Sequence, residues 1–203
     1  MNSNDLVADI LKTEGVDWVS CYPSNPLIEA VAKVGIRPVA FRHERGAVMA
    51  TDGYSRCSDR RRFGVVVMQS QAGAENSVGG LAQAHADAVP ILALPGGNPL
   101  SMLFVRPNTV AANTWDTVVK HIEFVTSPSQ TTTVMRRAFH SLRTGRPGPV
   151  VVELPGDVCA AEIPENTPEY RSPSAAQFVP SAGAIQDAAQ QLTEASNPLL
   201  WVG

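Results

Sequence analysis

The sequence predicts an α/β protein in which a parallel sheet carries helices on both faces. Segments such as Gly64-Val65-Val66-Val67-Met68 and Pro149-Val150-Val151-Val152-Glu153-Leu154 are nearly continuous apolar runs of strand length, the pattern of strands buried on both sides. Between such runs stand segments whose apolar residues recur three or four apart, as in an amphipathic helix. Regular alternation of the two supplies the crossover connections that parallel neighbours need. At 203 residues and 44% hydrophobic content, the chain is long enough to bury one full core.

Taken in order, Leu6, Val7, Ile10 and Leu11 recur at helical spacing between Ser3 and Glu14, with Ser3 or Asn4 to cap the start and Gly15 to close the end. Trp18 to Tyr22 is a short strand stopped by Pro23, and Leu27 to Ala32 the next helix. Val39 to Phe41 is a strand, Glu44 to Arg56 a helix, and Gly64 to Met68 a strand. A helix of small residues from Ala74 to Ala86 leads to the strand Pro90 to Leu94. Pro128 opens a helix reaching Leu142, Gly145 follows its end, and Pro149 to Leu154 is a further strand. These elements form an expected first domain over residues 1–162. Residues 163–180, rich in Pro, Ser, Glu and Thr, are expected to be a linker. A helix from Ala182 to Ala195 and a strand from Pro198 to Gly203 cannot bury their apolar faces alone, so residues 181–203 are expected to begin a truncated second α/β domain.

Composition narrows the function. Sixteen basic against nineteen acidic residues give a net charge of -3, and no row of Lys and Arg is present to neutralise phosphates, which argues against a nucleic-acid partner. Arg60-Arg61-Arg62 is expected to be a solvated turn. Cys21, Cys57 and Cys159 show no paired spacing, so neither a disulfide framework nor a zinc site is expected and a reducing compartment fits. No apolar run approaches the ~20 residues that span a bilayer, and no basic segment precedes an apolar one at the N-terminus. The expectation is a soluble, cytoplasmic protein. His43, His85, His121 and His140 lack metal-ligand spacing, so no metal site is expected within the chain. Ser70 is preceded by Met68 where a nucleophile elbow needs glycine, and Tyr22-Pro23-Ser24-Asn25-Pro26 stands where a dinucleotide-binding module needs a Gly-rich turn.

Ligands of parallel sheets sit beyond the carboxyl ends of strands, which directs attention to Tyr22-Pro23-Ser24-Asn25, Arg42-His43-Glu44, Gln69-Ser70-Gln71-Ala72 and Pro95-Gly96-Gly97-Asn98. Taken alone, Glu44 is an ordinary first-turn acid and Asn76 an ordinary helix cap. Their surroundings say more. Arg42-His43-Glu44-Arg45-Gly46-Ala47-Val48-Met49-Ala50-Thr51-Asp52-Gly53-Tyr54-Ser55-Arg56 resembles the RHE-x-x-A-x-x-x-A-D-G-Y-A-R stretch in the pyrimidine-binding domain of thiamin-diphosphate (ThDP) enzymes of the acetolactate synthase type. Gly15-Val16-Asp17 with Tyr22-Pro23, Ser70-Gln71-Ala72-Gly73-Ala74-Glu75-Asn76, and Gly145-Arg146-Pro147-Gly148-Pro149 through Val158 are similar to that family in the same order.

The resemblance implies that Glu44 is the carboxylate that activates the cofactor through its aminopyrimidine, a role that calls for burial. It implies a pyrimidine site from Tyr22, Pro23, Ala72, Gly73 and Asn76, with Ser24, Asn25, Gln69 and Gln71 as candidate substrate contacts. Where the family has Gly-Gly after Tyr-Pro this chain has Ser24-Asn25-Pro26, Ala72 replaces a usual proline, and Gln69 and Gln71 flank Ser70, so the resemblance implies a more polar site here. The Phe-Gln-Glu of acetolactate synthases has no counterpart between Phe104 and Asn113, which disfavours acetolactate synthesis itself. The implied reaction is decarboxylation of a 2-oxo acid or transfer of its acyl group; the alternatives are C–C bond cleavage or hydrolysis without decarboxylation, and a noncatalytic subunit. The Gly-Asp-Gly and Asn-Asn signature that holds diphosphate and Mg²⁺ is not in this sequence. The resemblance therefore implies a diphosphate-binding domain or subunit as partner, at least a dimer of the two kinds of domain, and leaves FAD undecided.

Overall fold

The computed structural model describes residues 1–59, 61–175 and 179–202. Its centre is a six-stranded, all-parallel sheet in the order β2-β1-β3-β4-β6-β5, so the α/β architecture with a parallel sheet is confirmed. The strands are β1 (Trp18–Cys21), β2 (Arg37–Ala40), β3 (Gly64–Met68), β4 (Ile91–Gly97), β5 (His121–Phe124) and β6 (Val150–Pro155). The helices are α1 (Ser3–Thr13), α2 (Leu27–Lys33), α3 (Glu44–Cys57), α4 (Ala72–Ala86), α5 (Ala111–Thr114), α6 (Thr131–Arg143), α7 (Gly156–Ala160) and α8 (Ala182–Glu194).

Alternation along each strand divides the core in two. Val65 and Val67 of β3, Leu92 and Leu94 of β4, and Val150 and Val152 of β6 pack with α1, α2 and α6. Val66, Met68, Ile91, Ala93 and Val151 face the other way, toward α3, α4 and α5. Pro38 has no N–H to donate to a ladder, which suits the place of β2 as an edge strand that pairs with β1 alone.

Several boundaries differ from expectation for local reasons. The cap of α1 is Asn2: its side chain accepts from Asp5 N–H at 3.0 Å while Asp5 accepts from Asn2 N–H at 3.1 Å. Ser3 and Asn4 are buried instead, Asn4 donating to Cys159 O at 3.2 Å. Pro128 begins a short 3₁₀ turn before α6 proper. Strand β5 and the short α5 and α7 had no clear sequence signal: β5 is an edge strand of mixed polarity, with Glu123 held by a fork of hydrogen bonds from Arg137 at 2.7 and 2.6 Å. Residues 163–175 form no helix or strand, yet Tyr170 lies against Phe139 and donates to the buried carboxylate of Glu14. Helix α8 forms where expected and has no buried residue. Residues 198–202 are not a strand, and among the described residues no strand pairs with them; Gly203 lies outside the described residues. Arg61 and Arg62 are exposed bends, and Arg60 lies outside the described residues. Among the described residues no helix is long and apolar enough to cross a membrane.

What positions the site is the close seating of α3 on the sheet. Ser20, buried in β1, donates to Ala47 O at 2.9 Å and meets Thr51 Oγ1 at 3.0 Å. Ser55 donates to Pro90 O at 2.7 Å and accepts from Gly64 N–H at 2.9 Å. Small residues let the layers meet: a Cβ on Gly64 would lie 2.3 Å from Thr51 Cγ2, and one on Gly80 of α4 would lie 2.8 Å from Val48 Cγ1. Helices α3 and α4 are thereby fixed side by side with their N-termini at the carboxyl end of the sheet.

Candidate active site at the amino ends of α3 and α4

After β2 the chain turns through Arg42 and His43, whose extended backbone and ring Nδ1, accepting from Arg45 N–H at 3.2 Å, cap α3. Glu44 follows as the first helical residue. It is only 4% exposed. Its carboxylate reaches across to α4, where Oε2 accepts from Asn76 Nδ2 at 3.2 Å. Asn76 stands in the second turn of α4, so the capping role that its residue type suggested does not apply.

Gly73 completes this corner. A Cβ there would lie 3.0 Å from Glu44 Oε1 and 2.8 Å from Gln69 Cβ, so the position must lack a side chain for the carboxylate to occupy its place. Thus Glu44, Gly73, Asn76 and Gln69 come together, with Ala72 exposed as the first residue of α4. The orphan N–H groups of a helix N-terminus favour a negative charge at this place. A carboxylate beside a side-chain amide can give or take a proton on one side while the amide carbonyl accepts on the other.

The loop after β1 is arranged differently. Tyr22 N–H donates to Val67 O at 3.1 Å, continuing the ladder past the strand end. Asn25, expected as a substrate contact, is buried: its amide donates to Met68 O at 2.8 Å and Leu94 O at 3.4 Å, and its carbonyl accepts from Leu27 N–H at 3.0 Å. Its side chain therefore ties the loop to the ends of β3 and β4. Pro23 and Ser24 are exposed, Ser24 with φ 97°, and border a groove of about 690 Å³ shared with Pro38 and Ala40. Among the described residues no hydrogen bond joins this loop to Glu44 or Asn76.

Gln71 also turns away from Glu44. It caps α4 with φ 54° and ψ −118°, and its amide donates to Asn98 Oδ1 at 2.9 Å and Asn108 Oδ1 at 3.1 Å. Such a backbone costs a residue with a side chain roughly 1–3 kcal/mol. Asn98 sits immediately after β4, a position that the strand-end rule had flagged; Asn108 carried no sequence signal. A second buried acid lies nearby on β6. Glu153 accepts from Ala112 N–H at 2.9 Å, and burial pushes its carboxyl up to about 6 against the opposing pull of the Ala112 and Ala111 N–H groups. No cluster of three or more His, Cys, Asp or Glu side chains suited to a metal occurs among the described residues.

Residues 1–104 match the family model described as the thiamine pyrophosphate enzyme N-terminal TPP binding domain, and the segment includes Glu44, Gly73 and Asn76. This chain belongs to the ThDP enzyme family. It is similar to an acetolactate synthase of Arthrospira platensis, 35% identical over 212 residues that cover 96% of this chain and 36% of that protein. It is similar also to the acetolactate synthase large subunit of Lactococcus lactis subsp. lactis, 32% identical over 100% of this chain and 36% of the relative. The isozyme 2 large subunit of Escherichia coli K12 is 32% identical over 100% of this chain and 37% of the relative. The chain thus spans about a third of the length of the curated relatives it matches. The cofactor class of the family is ThDP, and its N-terminal domain is the one whose sheet and helices are described above.

Proposed function

We propose that this chain forms the pyrimidine side of a ThDP-dependent enzyme that decarboxylates a 2-oxo acid or passes its acyl group to an acceptor, with Glu44 as the activating carboxylate. The observation that carries this reading is the corner made by Glu44, Gly73 and Asn76: a 4% exposed carboxylate that accepts from an amide and is seated where a side chain at position 73 would stand. These residues fit an aminopyrimidine, which offers a ring nitrogen to an acid and an amino group to an acceptor. When bound, the cofactor supplies a carbon nucleophile at its thiazolium C2.

Glu44 would hold the pyrimidine ring nitrogen through its carboxyl, an arrangement in which the cofactor's amino group would more readily give up a proton. Asn76, itself exposed, holds Glu44 Oε2 while the other oxygen lies beside Gly73, and the burial of Glu44 strengthens its hydrogen bonds by keeping water from the carboxylate. Tyr22, Pro23 and Ala72 stand at neighbouring strand and helix ends as walls of the pyrimidine site, and Ser24 and Gln69, exposed at the same end of the sheet, as substrate contacts. Asn25 and Gln71 serve the site by holding its loops. Mg²⁺ and the diphosphate fall to a diphosphate-binding domain or partner subunit, so the working unit pairs two kinds of domain in a cytoplasmic oligomer. The apolar residues Ile185 and Leu192 on the exposed helix α8 are in keeping with a second domain that packs there.

The test is CO₂ release from a panel of 2-oxo acids by the chain combined with its diphosphate-binding partner, ThDP and Mg²⁺, with and without Glu44→Gln. Release that falls at least a hundredfold in the variant, with ThDP still bound, supports the reading, since a positioned acid–base group contributes roughly 10²–10⁴ in rate. Equal release from both proteins would remove Glu44 from the mechanism. Binding of ThDP without release from any acid would favour C–C cleavage without decarboxylation or a noncatalytic subunit.

A further inference from the structure

Between β4 and α5 the chain makes its longest connection inside the sheet domain, residues 98–110, with a short 3₁₀ turn at Leu100–Met102 as its only helical turn. Its ends and middle converge on one side chain. Gln71 Nε2 donates to Asn98 Oδ1 at 2.9 Å, at the start of the loop, and to Asn108 Oδ1 at 3.1 Å, near its end. Both asparagines carry the connection onward: Asn98 Nδ2 donates to Thr109 O at 2.8 Å and Asn108 Nδ2 to Met102 O at 3.3 Å. Asn98 is 6% exposed, so its amide has little solvent to exchange for these partners.

The backbone of Gln71 sharpens the point. Its φ of 54° with ψ of −118° belongs to conformations that glycine adopts freely and other residues resist. A residue whose only task was to start α4 would be better replaced by glycine. The strain is accepted where a side chain is needed, and the only hydrogen bonds of this side chain among the described residues go to the 98–110 loop.

We propose that Gln71 is a positioning residue that latches the loop of residues 98–110 to the first turn of α4. Because that turn also carries Ala72 and Gly73, with Asn76 in the turn that follows, the latch sets the loop as a pre-formed wall beside the Glu44 corner. The role in catalysis rests on the reading of that corner as a pyrimidine site; the latch itself does not. Asn98 and Asn108 are the receiving halves of the device, and Gln71 touches neither the proton-sharing carboxylate nor Asn76.

Amide hydrogen exchange of the whole chain, without ligand, separates latch from strain with three variants. Gln71→Met keeps the length and the strained backbone but has no donor, Gln71→Gly relieves the strain and has no donor, and Gln71→Lys keeps a donor. The expected result is exchange in residues 99–110 roughly tenfold faster in Gln71→Met and Gln71→Gly, with β3 and β4 unchanged, and near-native protection in Gln71→Lys. Unchanged loop exchange in both Gln71→Met and Gln71→Gly would overturn the latch, as would acceleration that spreads equally to β3 and β4. No cofactor or substrate enters the measurement, so the latch can hold even if the enzymatic reading fails, and the reverse.

Discussion

Glu153→Gln should flatten a pH dependence of stability that has nothing to do with cofactor binding. Burial raises the Glu153 carboxyl from an ordinary 4.5 to about 6, the Ala112 and Ala111 N–H groups oppose the rise, and the charge of Glu75 adds to it. A carboxyl whose folded value is raised holds its proton in the folded chain after the unfolded chain has lost it. Its stabilising contribution is therefore fully present below about 4.5 and is lost as pH climbs through about 6. A displacement of about 1.5 pH units at 1.36 kcal/mol each amounts to roughly 2 kcal/mol, an order-of-magnitude figure for a largely buried group. Glutamine keeps an oxygen to accept from Ala112 N–H, now at 2.9 Å from Oε2, and cannot ionise. Urea unfolding of both proteins at intervals from pH 4 to pH 7.5 should show the variant gaining about 2 kcal/mol on the parent between those limits. Parallel curves would refute the argument, because they would mean that the Glu153 carboxylate is as well solvated folded as unfolded. A variant that loses ground with rising pH would show that the two backbone donors outweigh burial.

Two substitutions to alanine separate scaffold from site. Gly64→Ala puts a methyl 2.3 Å from Thr51 Cγ2 and 2.7 Å from Thr51 O, so α3 must lift from β3; thermal or urea unfolding should register a loss of about 3 kcal/mol. Gly73→Ala meets Gln69 Cβ at 2.8 Å, which moves only with its backbone, and Glu44 Oε1 at 3.0 Å, which must swing aside, so titration calorimetry of the complete assembly should show ThDP binding weakened roughly tenfold. Unaltered ThDP affinity in that variant would place the cofactor elsewhere.

The strand-end rule named Glu44 and the residues that open α4 before any contact between them was visible. Glu44 was legible because a parallel sheet brings strand ends and the following helix N-termini to one side, whereas Gly73 and Asn76 were singled out only by the family resemblance. Asn25 and Gln71 were legible as positions, but their hydrogen-bond partners were not, since a polar side chain after a strand serves a neighbouring carbonyl as readily as a ligand. Both turned out to hold other loops in place.

By itself the sequence determined the alternation of helix and strand, the parallel sheet, the choice of which segments are buried on both faces, and the short list of strand-end residues. Those follow from local periodicity and from backbone geometry, which a chain carries wherever it goes. Only the tertiary structure decided that β1 lies between β2 and β3, that β5 with its Glu123 forms an edge, and that Asn76 meets a carboxylate 32 positions away. Such pairings depend on which surfaces fit: a serine hydroxyl under α3, a glycine against Thr51, a missing Cβ beside Glu44. Close packing over long sequence separations leaves no periodic trace, and it is this packing that turns a first-turn acid into a buried carboxylate with a partner.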